Sequence, residues 1–488
     1  MGCIKVKNKE IKSINIKETD IKVTNNNLGV DQIFFSNKNE QIYNDFKSIN
    51  NFINGFNYKM YEAEHVLSGK KRFIIAKDDT IMTQKEINLL KSISHPNILK
   101  YIECYTAQNK RYLIFEHFKD SITLFDLLCI KGPFSEEVSL KILREILLIL
   151  SLFHSKKLIL NIFSIGNILI SRKDMTIKFF NLESVIYQNK DILNDTFFFN
   201  QIESLIYAYT SHDNHSLLGC APEMFSSKIS QKSDIWSCGI ILYALLCKEF
   251  PFKGVNESDL IQNIKQGNLK FLQNCWKLVS PSTINLIEQM LSIKEYKRIS
   301  LEIILSQQLV EDQVSRTTLK EAENFLQKVS VFVTKNKFQR LILSYLTHIG
   351  FATDKQLKYN EVFKLIDIDR DGRISREDAI ILIKNCLAPI EALIQTEMFM
   401  NLDSDNDGFV SYTDFLKVTI DKKSVSEVEI TSAFEFYNSE AFTEYFSDYF
   451  ASMEFKSSND TKIYEKITKN TKISFTEFKS IMNDYLLE

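Results

Sequence analysis

The chain has 488 residues, of which 44% are hydrophobic and 25% charged, with a net charge of −2. That length carries two or three globular cores, and the charge balance offers no global basic surface for nucleic acid. Thirteen glycines and six prolines exclude collagen-like and proline-rich architectures, and no apolar run reaches the about 18 residues of a membrane span.

The eight cysteines form no C-x-x-C pair. They read as reduced thiols of a cytoplasmic protein, neither a disulfide frame nor a zinc site. MGCIKVKNKEIK opens the chain, with Gly2 behind the initiator Met, Cys3 beside it, and lysines at 5, 7, 9 and 12. Acyl chains on Gly2 and Cys3 beside that basic stretch would hold the chain on a membrane surface, which one acyl chain does not do stably. Val6 stands where the acylation pattern asks for Ser or Thr, so an unmodified terminus stays the alternative. Residues 1–50, rich in Asn and Lys, are expected to be flexible.

Residues 51–310 carry an ordered series of motifs. NGFNYKMYEAEHVLSG (54–69) holds Gly55 before a bulky run, with Met60 and Tyr61 where a phosphate-covering loop needs small residues. IIAK (74–77) ends an apolar β-like run at Lys77. TQKEINLLKSISHPNILKYIE (83–103) reads as a helix and its exit, with Glu86 near its start. YLIFEHF (112–118) is strand-like. HSKKLILNIFSIGNILI (154–170) contains Asn167, and IKFFNLE (177–183) contains Asn181. An aromatic cluster follows at 194–210, then CAPE (220–223), SDIWSCGIILYALLCKEFPF (233–252) and EYKRIS (295–300).

In this order the segments resemble the protein-kinase family. The resemblance implies Lys77 as the phosphate-binding lysine, Glu86 as its ion-pair partner, and Asn167 as a metal-holding residue. It also implies that Arg298 pairs with Glu223. Anchored on Asn167, the catalytic-loop slots fall on Leu160, Asn161 and Ile162, so an isoleucine replaces the proton-accepting Asp. Ser164 replaces the loop lysine, and Asn181 replaces the magnesium-binding Asp. No catalytic residue is retained, while ATP and magnesium at Lys77, Glu86 and Asn167 stay open.

DIDRDGRISRED (367–378) and DSDNDGFVSYTD (403–414) start 403 − 367 = 36 residues apart and fit the EF-hand calcium loop. Alternating carboxylates wrap one ion, and Gly at the sixth position permits the central turn. The first loop offers Asp367, Asp369, Asp371, the Arg373 carbonyl, Ser375 through water, and Asp378. The second offers Asp403, Asp405, Asp407, the Phe409 carbonyl, Ser411 and Asp414. Apolar Ile374 and Val410 stand where two loops pair by a short β contact. Asp378 and Asp414 fill the place of a bidentate Glu, which predicts weaker calcium binding and better tolerance of magnesium.

Two further units look degenerate: 434–450 keeps Phe434 without a loop. The unit at 466–478 keeps Ile473, Ser474 and Glu477 but starts on Lys466. Residues 311–350 form a helical junction, with Phe338, Leu341, Leu343, Leu346 and Ile349 at near-helical spacing.

As a whole the chain resembles a calcium-dependent protein kinase. The implied fold is α+β: a bilobal protein-kinase-like domain (51–310), the junction (311–350) and an all-α EF-hand domain (351–488). The leading expectation is a calcium-responsive pseudokinase that docks or regulates a protein partner. A divergent active Ser/Thr kinase acting on a protein substrate and a passive calcium-binding scaffold are the alternatives.

Overall fold

The computed structural model describes residues 37–39, 42–55, 58–66, 68–78, 84–161, 163–182, 185–188, 219–226, 228–272, 274–307, 316–332, 343–347, 354–386, 399–400, 402–403, 407–420, 425, 427–437, 474–476 and 478–480. Its first lobe is a six-stranded sheet. The strands are β1 (Asn37–Asn39), β2 (Phe46–Asn54), β3 (Tyr58–His65), β4 (Lys71–Asp78), β5 (Tyr101–Ala107) and β6 (Lys110–Glu116), in the order β1-β5-β6-β4-β3-β2. β4 carries the unbroken apolar run FIIA because it lies between β3 and β6 and is buried on both faces. Phe73 and Ile75 enter the main core, and Ile74 and Ala76 a second cluster with Tyr105 and Ile114. Helix α2 (Gln84–Ser92) sends Ile87, Leu89 and Leu90 into the main core.

Elements ahead of residue 51 are part of this lobe. Helix α1 (Ile42–Asp45) and the start of β2 place Ile42 and Phe46, 2% and 3% exposed, in the second cluster. β1 adds a parallel pairing with β5. Ile42 and Phe46 join this segment to the sheet, packing in the cluster with Ile74, Tyr105 and Ile114.

The second lobe contains a three-stranded sheet of β7 (Ser121–Thr123), β9 (Ile168–Ser171) and β10 (Ile177–Phe179), and a β8 (Leu158–Ile159) pairing with β11 (Ile186–Tyr187). Around them lie α3 (Leu124–Lys131), α4 (Glu136–Ser155), α5 (Gln231–Cys247), α6 (Glu257–Gln266), α7 (Pro281–Met290) and α8 (Leu301–Leu305). α5 is apolar all round, as a helix enclosed by others must be. A capping box of Ser230 and Ser233 starts it, and Lys248 in the left-handed conformation ends it.

The helical unit behind these lobes is α9 (Arg316–Val331), α10 (Asp354–Ile366), α11 (Arg376–Cys386), α12 (Tyr412–Thr419) and α13 (Glu427–Tyr437). A ladder of β12 (Arg373–Ile374) and β13 (Val410–Ser411) joins its loops, with Ile374 opposite Val410. Its core stacks Phe325 on Phe415 at 4.1 Å, with Phe363, Phe399 and Leu326 around them. Phe325 comes from α9, so part of the expected junction is built into this core. Residues 343–347 form a further short helical stretch, in which Leu343 and Leu346 are buried. Phe338, Leu341 and Ile349 lie outside the described residues, as do Gly2, Cys3, Lys466, Ile473 and Glu477. No helix among the described residues is long and apolar enough to cross a membrane.

The helical unit packs on the two lobes through named contacts. Ser94 Oγ meets Thr413 Oγ1 at 2.9 Å, Lys100 Nζ donates to the Thr347 carbonyl at 2.7 Å, and Arg370 donates to the Leu305 carbonyl at 3.1 Å. Gly372, at φ +79°, lies so close to α4 that a Cβ there would stand 2.7 Å from Leu152 Cδ1.

Candidate functional site

The cleft between the lobes is built on β4. Lys77 is 2% exposed, and its Nζ reaches Glu86 Oε1 on α2 at 2.8 Å and Asn181 Oδ1 at 3.3 Å. An offset of nine in sequence, 86 − 77 = 9, therefore suffices for the ion pair. Asn181 is a neutral acceptor for the ammonium. It presents no charge that would hold a divalent ion beside a triphosphate.

Met60 and Tyr61, the bulky residues of this stretch, point to opposite faces of β3, Met60 to the same face as Tyr58. Met60 is fully buried in the main core, and Tyr61 packs against the cluster on the other face of the sheet. The residue that matters is Tyr58, opposite Lys77 in register. Its ring lies under Gly55, where a Cβ would come within 2.3 Å of it, and edge-on to Phe180 at 5.9 Å between centroids. The signal was available in outline: a residue pairing with the strand-end lysine faces the same side as that lysine.

Below the cleft, Asp234 on α5 holds the loop after β8. Its carboxylate accepts from the backbone N–H of Leu160 at 3.0 Å and of Asn161 at 2.9 Å, and contacts His154 Nε2 at 2.8 Å. Burial pushes the Asp234 carboxyl up, and these donors oppose the shift. Asn161 is held at φ 65°. Ile162 lies outside the described residues. Ser164 Oγ accepts from the Gly166 N–H at 3.3 Å and so closes a short turn. Asn167, 7% exposed, accepts from the Phe180 N–H through its own carbonyl at 3.4 Å. The aromatic stretch at 194–210 also lies outside the described residues.

Glu223 and Arg298 form the scaffold pair of this lobe. The guanidinium makes two parallel bonds to the carboxylate at 2.6 and 3.0 Å and stacks 5.2 Å from the Trp236 ring.

In the first acidic loop the side-chain oxygens of Asp367, Asp369 and Asp371 converge within 4.8 Å. Asp367 Oδ2 accepts from the Gly372 N–H at 2.9 Å, whereas its buried Oδ1 has no hydrogen-bond partner. Burial, then the charge of Asp371, pushes this carboxyl up to about 8. A buried, unsatisfied carboxylate beside two others is the arrangement a cation relieves, and the donors fit calcium. In the second loop, Asp403 accepts from the N–H groups of Asp407 at 3.2 Å and Gly408 at 2.8 Å. Asp405 lies outside the described residues. Gly372 and Gly408 supply the positive φ of each turn.

Arg373 and Phe409 do more than offer carbonyls. The Arg373 guanidinium lies 4.0 Å over the Phe409 ring, 3.4 Å from Asp371 and 3.5 Å from Asp407, tying the loops together. The loop-ending carboxylates fold back on their own helices. Asp378 accepts from the Ser375 N–H and Oγ at 2.8 and 2.7 Å and from the Ile368 N–H at 3.2 Å. Asp414 accepts from Ser411 Oγ at 2.7 Å, and its N–H donates back to Ser411 Oγ at 3.1 Å. Each carboxylate is thus tied to the serine that caps its outgoing helix.

Residues 68–310 match the protein kinase domain model, and residues 356–420 match the model for an EF-hand domain pair. Calcium-dependent protein kinase 4 of Plasmodium falciparum (isolate 3D7) is 25% identical over 440 residues, covering 84% of this chain and 80% of that protein. Calcium-dependent protein kinase 5 of Plasmodium berghei (strain Anka) is 27% identical over 393 residues, covering 77% and 64%. Calcium-dependent protein kinase 34 of Arabidopsis thaliana is 24% identical over 376 residues, covering 75% and 68%.

Proposed function

The chain belongs to the calcium-dependent protein kinase family, with a protein kinase domain followed by an EF-hand pair, and from that premise we propose that it is a calcium-responsive pseudokinase. Its kinase half works as a surface that docks or regulates a protein partner. The observation that carries the reading is Asn181: its amide accepts from Lys77 Nζ at 3.3 Å in the place of a magnesium-binding carboxylate. Phosphoryl transfer depends on positioning and on neutralising charge, and Ile162 and Asn181 remove the proton acceptor and one metal carboxylate together. Tyr58 supports the same conclusion by filling space beneath Gly55.

ATP, if bound, would meet Lys77 at its phosphates, with Asn167 as the metal-holding residue; it would supply the transferable phosphoryl group. Calcium would occupy the two loops, and the EF-hand pair, packed on both lobes, would pass its state to the partner-binding surface. Acylation at Gly2 and Cys3 would bring this to a membrane, which mass spectrometry of the native protein tests.

A second reading, a divergent active kinase, is favoured by the intact Lys77–Glu86 pair at 2.8 Å. The deciding experiment measures transfer of labelled phosphate to protein by the full chain with magnesium-ATP and saturating calcium. No transfer by the wild type is expected. Calcium-dependent transfer abolished by Lys77→Met would replace the pseudokinase reading with the active one.

A further inference from the structure

The two calcium loops end in the same chemistry and then diverge. Each closes with a Ser–Asp pair in which the serine caps the outgoing helix and the carboxylate accepts from the serine hydroxyl. Three positions further, almost one helical turn along, the first loop has Ile381 and the second has Lys417. Ile381 is 42% exposed, whereas Lys417 is 3% exposed.

Lysine is seldom buried without a partner, and here the partner is a calcium ligand. Lys417 Nζ donates to Asp414 Oδ1 at 2.5 Å, with the side chains 2% and 6% exposed. Asp414 Oδ2 is meanwhile held by the Ser411 hydroxyl at 2.7 Å. Both Asp414 oxygens are therefore engaged, one by a positive charge. A divalent ion must either displace that ammonium from Asp414 or bind beside it against repulsion little screened by water. In the first loop the corresponding Asp378 accepts only from uncharged groups among its hydrogen bonds described above, namely Ser375 and the Ile368 N–H.

We propose that Lys417 is a resident cation of the second loop, which weakens divalent-ion binding there and makes the pair fill in order, first loop before second. The inference rests on the EF-hand reading and deepens it, giving the two sites distinct affinities set by one residue outside the ligand set.

The test is calorimetric titration of the full, calcium-stripped chain with calcium. Two steps are expected, the weaker one lost in Asp403→Ala and the tighter one lost in Asp367→Ala. Lys417→Met should tighten the weaker step by about tenfold, which corresponds to about 1.4 kcal/mol, and leave the tighter step in place. Lys417→Arg, which keeps the charge, should leave the weaker step weak. The proposal is overturned if Asp367→Ala removes the weaker step, a result that does not depend on the Lys417 variants folding. An unchanged weaker step in a folded Lys417→Met protein overturns it as well, and leaves the EF-hand reading standing. A wild type that takes up no calcium at all overturns both.

Discussion

Lys364 of the EF-hand half and Glu145 of the kinase half form an ion pair across the seam, Nζ to Oε1 at 3.5 Å, with side chains only 4% and 3% exposed. Glu145 Oε2 also accepts from Asn97 Nδ2 at 3.0 Å and from the Ile177 N–H at 2.9 Å, and Lys364 reaches Glu361 at 2.9 Å. One carboxylate thus joins α4, the turn after α2, β10 and the first EF-hand helix.

Removing one partner of such a pair strands the other charge in the interior. Lys364→Met is expected to destabilise the full chain by about 3–5 kcal/mol, whereas the double variant Lys364→Met, Glu145→Gln should recover much of the loss. Denaturant unfolding of both variants checks this. An unchanged midpoint for Lys364→Met would mean that the seam opens in solution.

The cleft makes a separate prediction. Magnesium-ATP should leave the melting temperature of the wild type unchanged at saturating calcium. Tyr58→Val should restore space beneath Gly55 and give a ligand-dependent rise. A nucleotide that binds only the folded state contributes about 2.7 kcal/mol at a hundredfold excess over its dissociation constant. A clear rise in the wild type would show that the Tyr58 ring does not close the site.

The Glu223–Arg298 pair is bidentate and its guanidinium is fully buried. Arg298→Lys cannot reproduce the fork, and the expected loss is about 2–3 kcal/mol despite the retained charge. Equal unfolding midpoints for the two proteins would contradict this.

His95 sets a pH dependence. Burial holds its imidazole well below the usual 6.5, with Lys364 and Lys178 adding to the effect. The Asn97 N–H donates to His95 Nδ1 at 3.0 Å, a bond that a proton on that nitrogen would break. With the folded value depressed, the unfolded chain binds the proton first. Stability is fully present above pH 6.5 and falls by up to about 1.4 kcal/mol per pH unit below it. His95→Gln should remove that part of the slope between pH 6.5 and 5 in paired melting curves; identical slopes would refute it.

The sequence was most legible where a residue's role follows from its spacing. The acidic loops and the apolar pair Ile374 and Val410 follow from fixed offsets, and the Lys77, Glu86, Glu223 and Arg298 positions stand in ordered motifs. It was least legible where burial depends on what arrives from far along the chain. Lys364 and Lys417 look like solvated charges on amphipathic helices, and only the packed structure makes them interior groups. Tyr58 escaped notice because its direction depends on the β3–β4 register, which a one-residue slip would reverse. Ile42 and Phe46 stand among many polar residues, and their burial depends on the sheet face formed by Ile74, Tyr105 and Ile114 from further along the chain.

The close approach of Gly372 to Leu152 ties the choice of residue in one half of the chain to the packing of the other. That glycine answers to two masters, the sharp bend of an ion-binding loop and the flank of a helix in another domain. A Cβ there would meet only the Leu152 side chain, so a larger residue must displace that side chain and also adopt a left-handed backbone. The loop thus lies against α4 itself, and α4 leads through β8 to the segment held by Asp234.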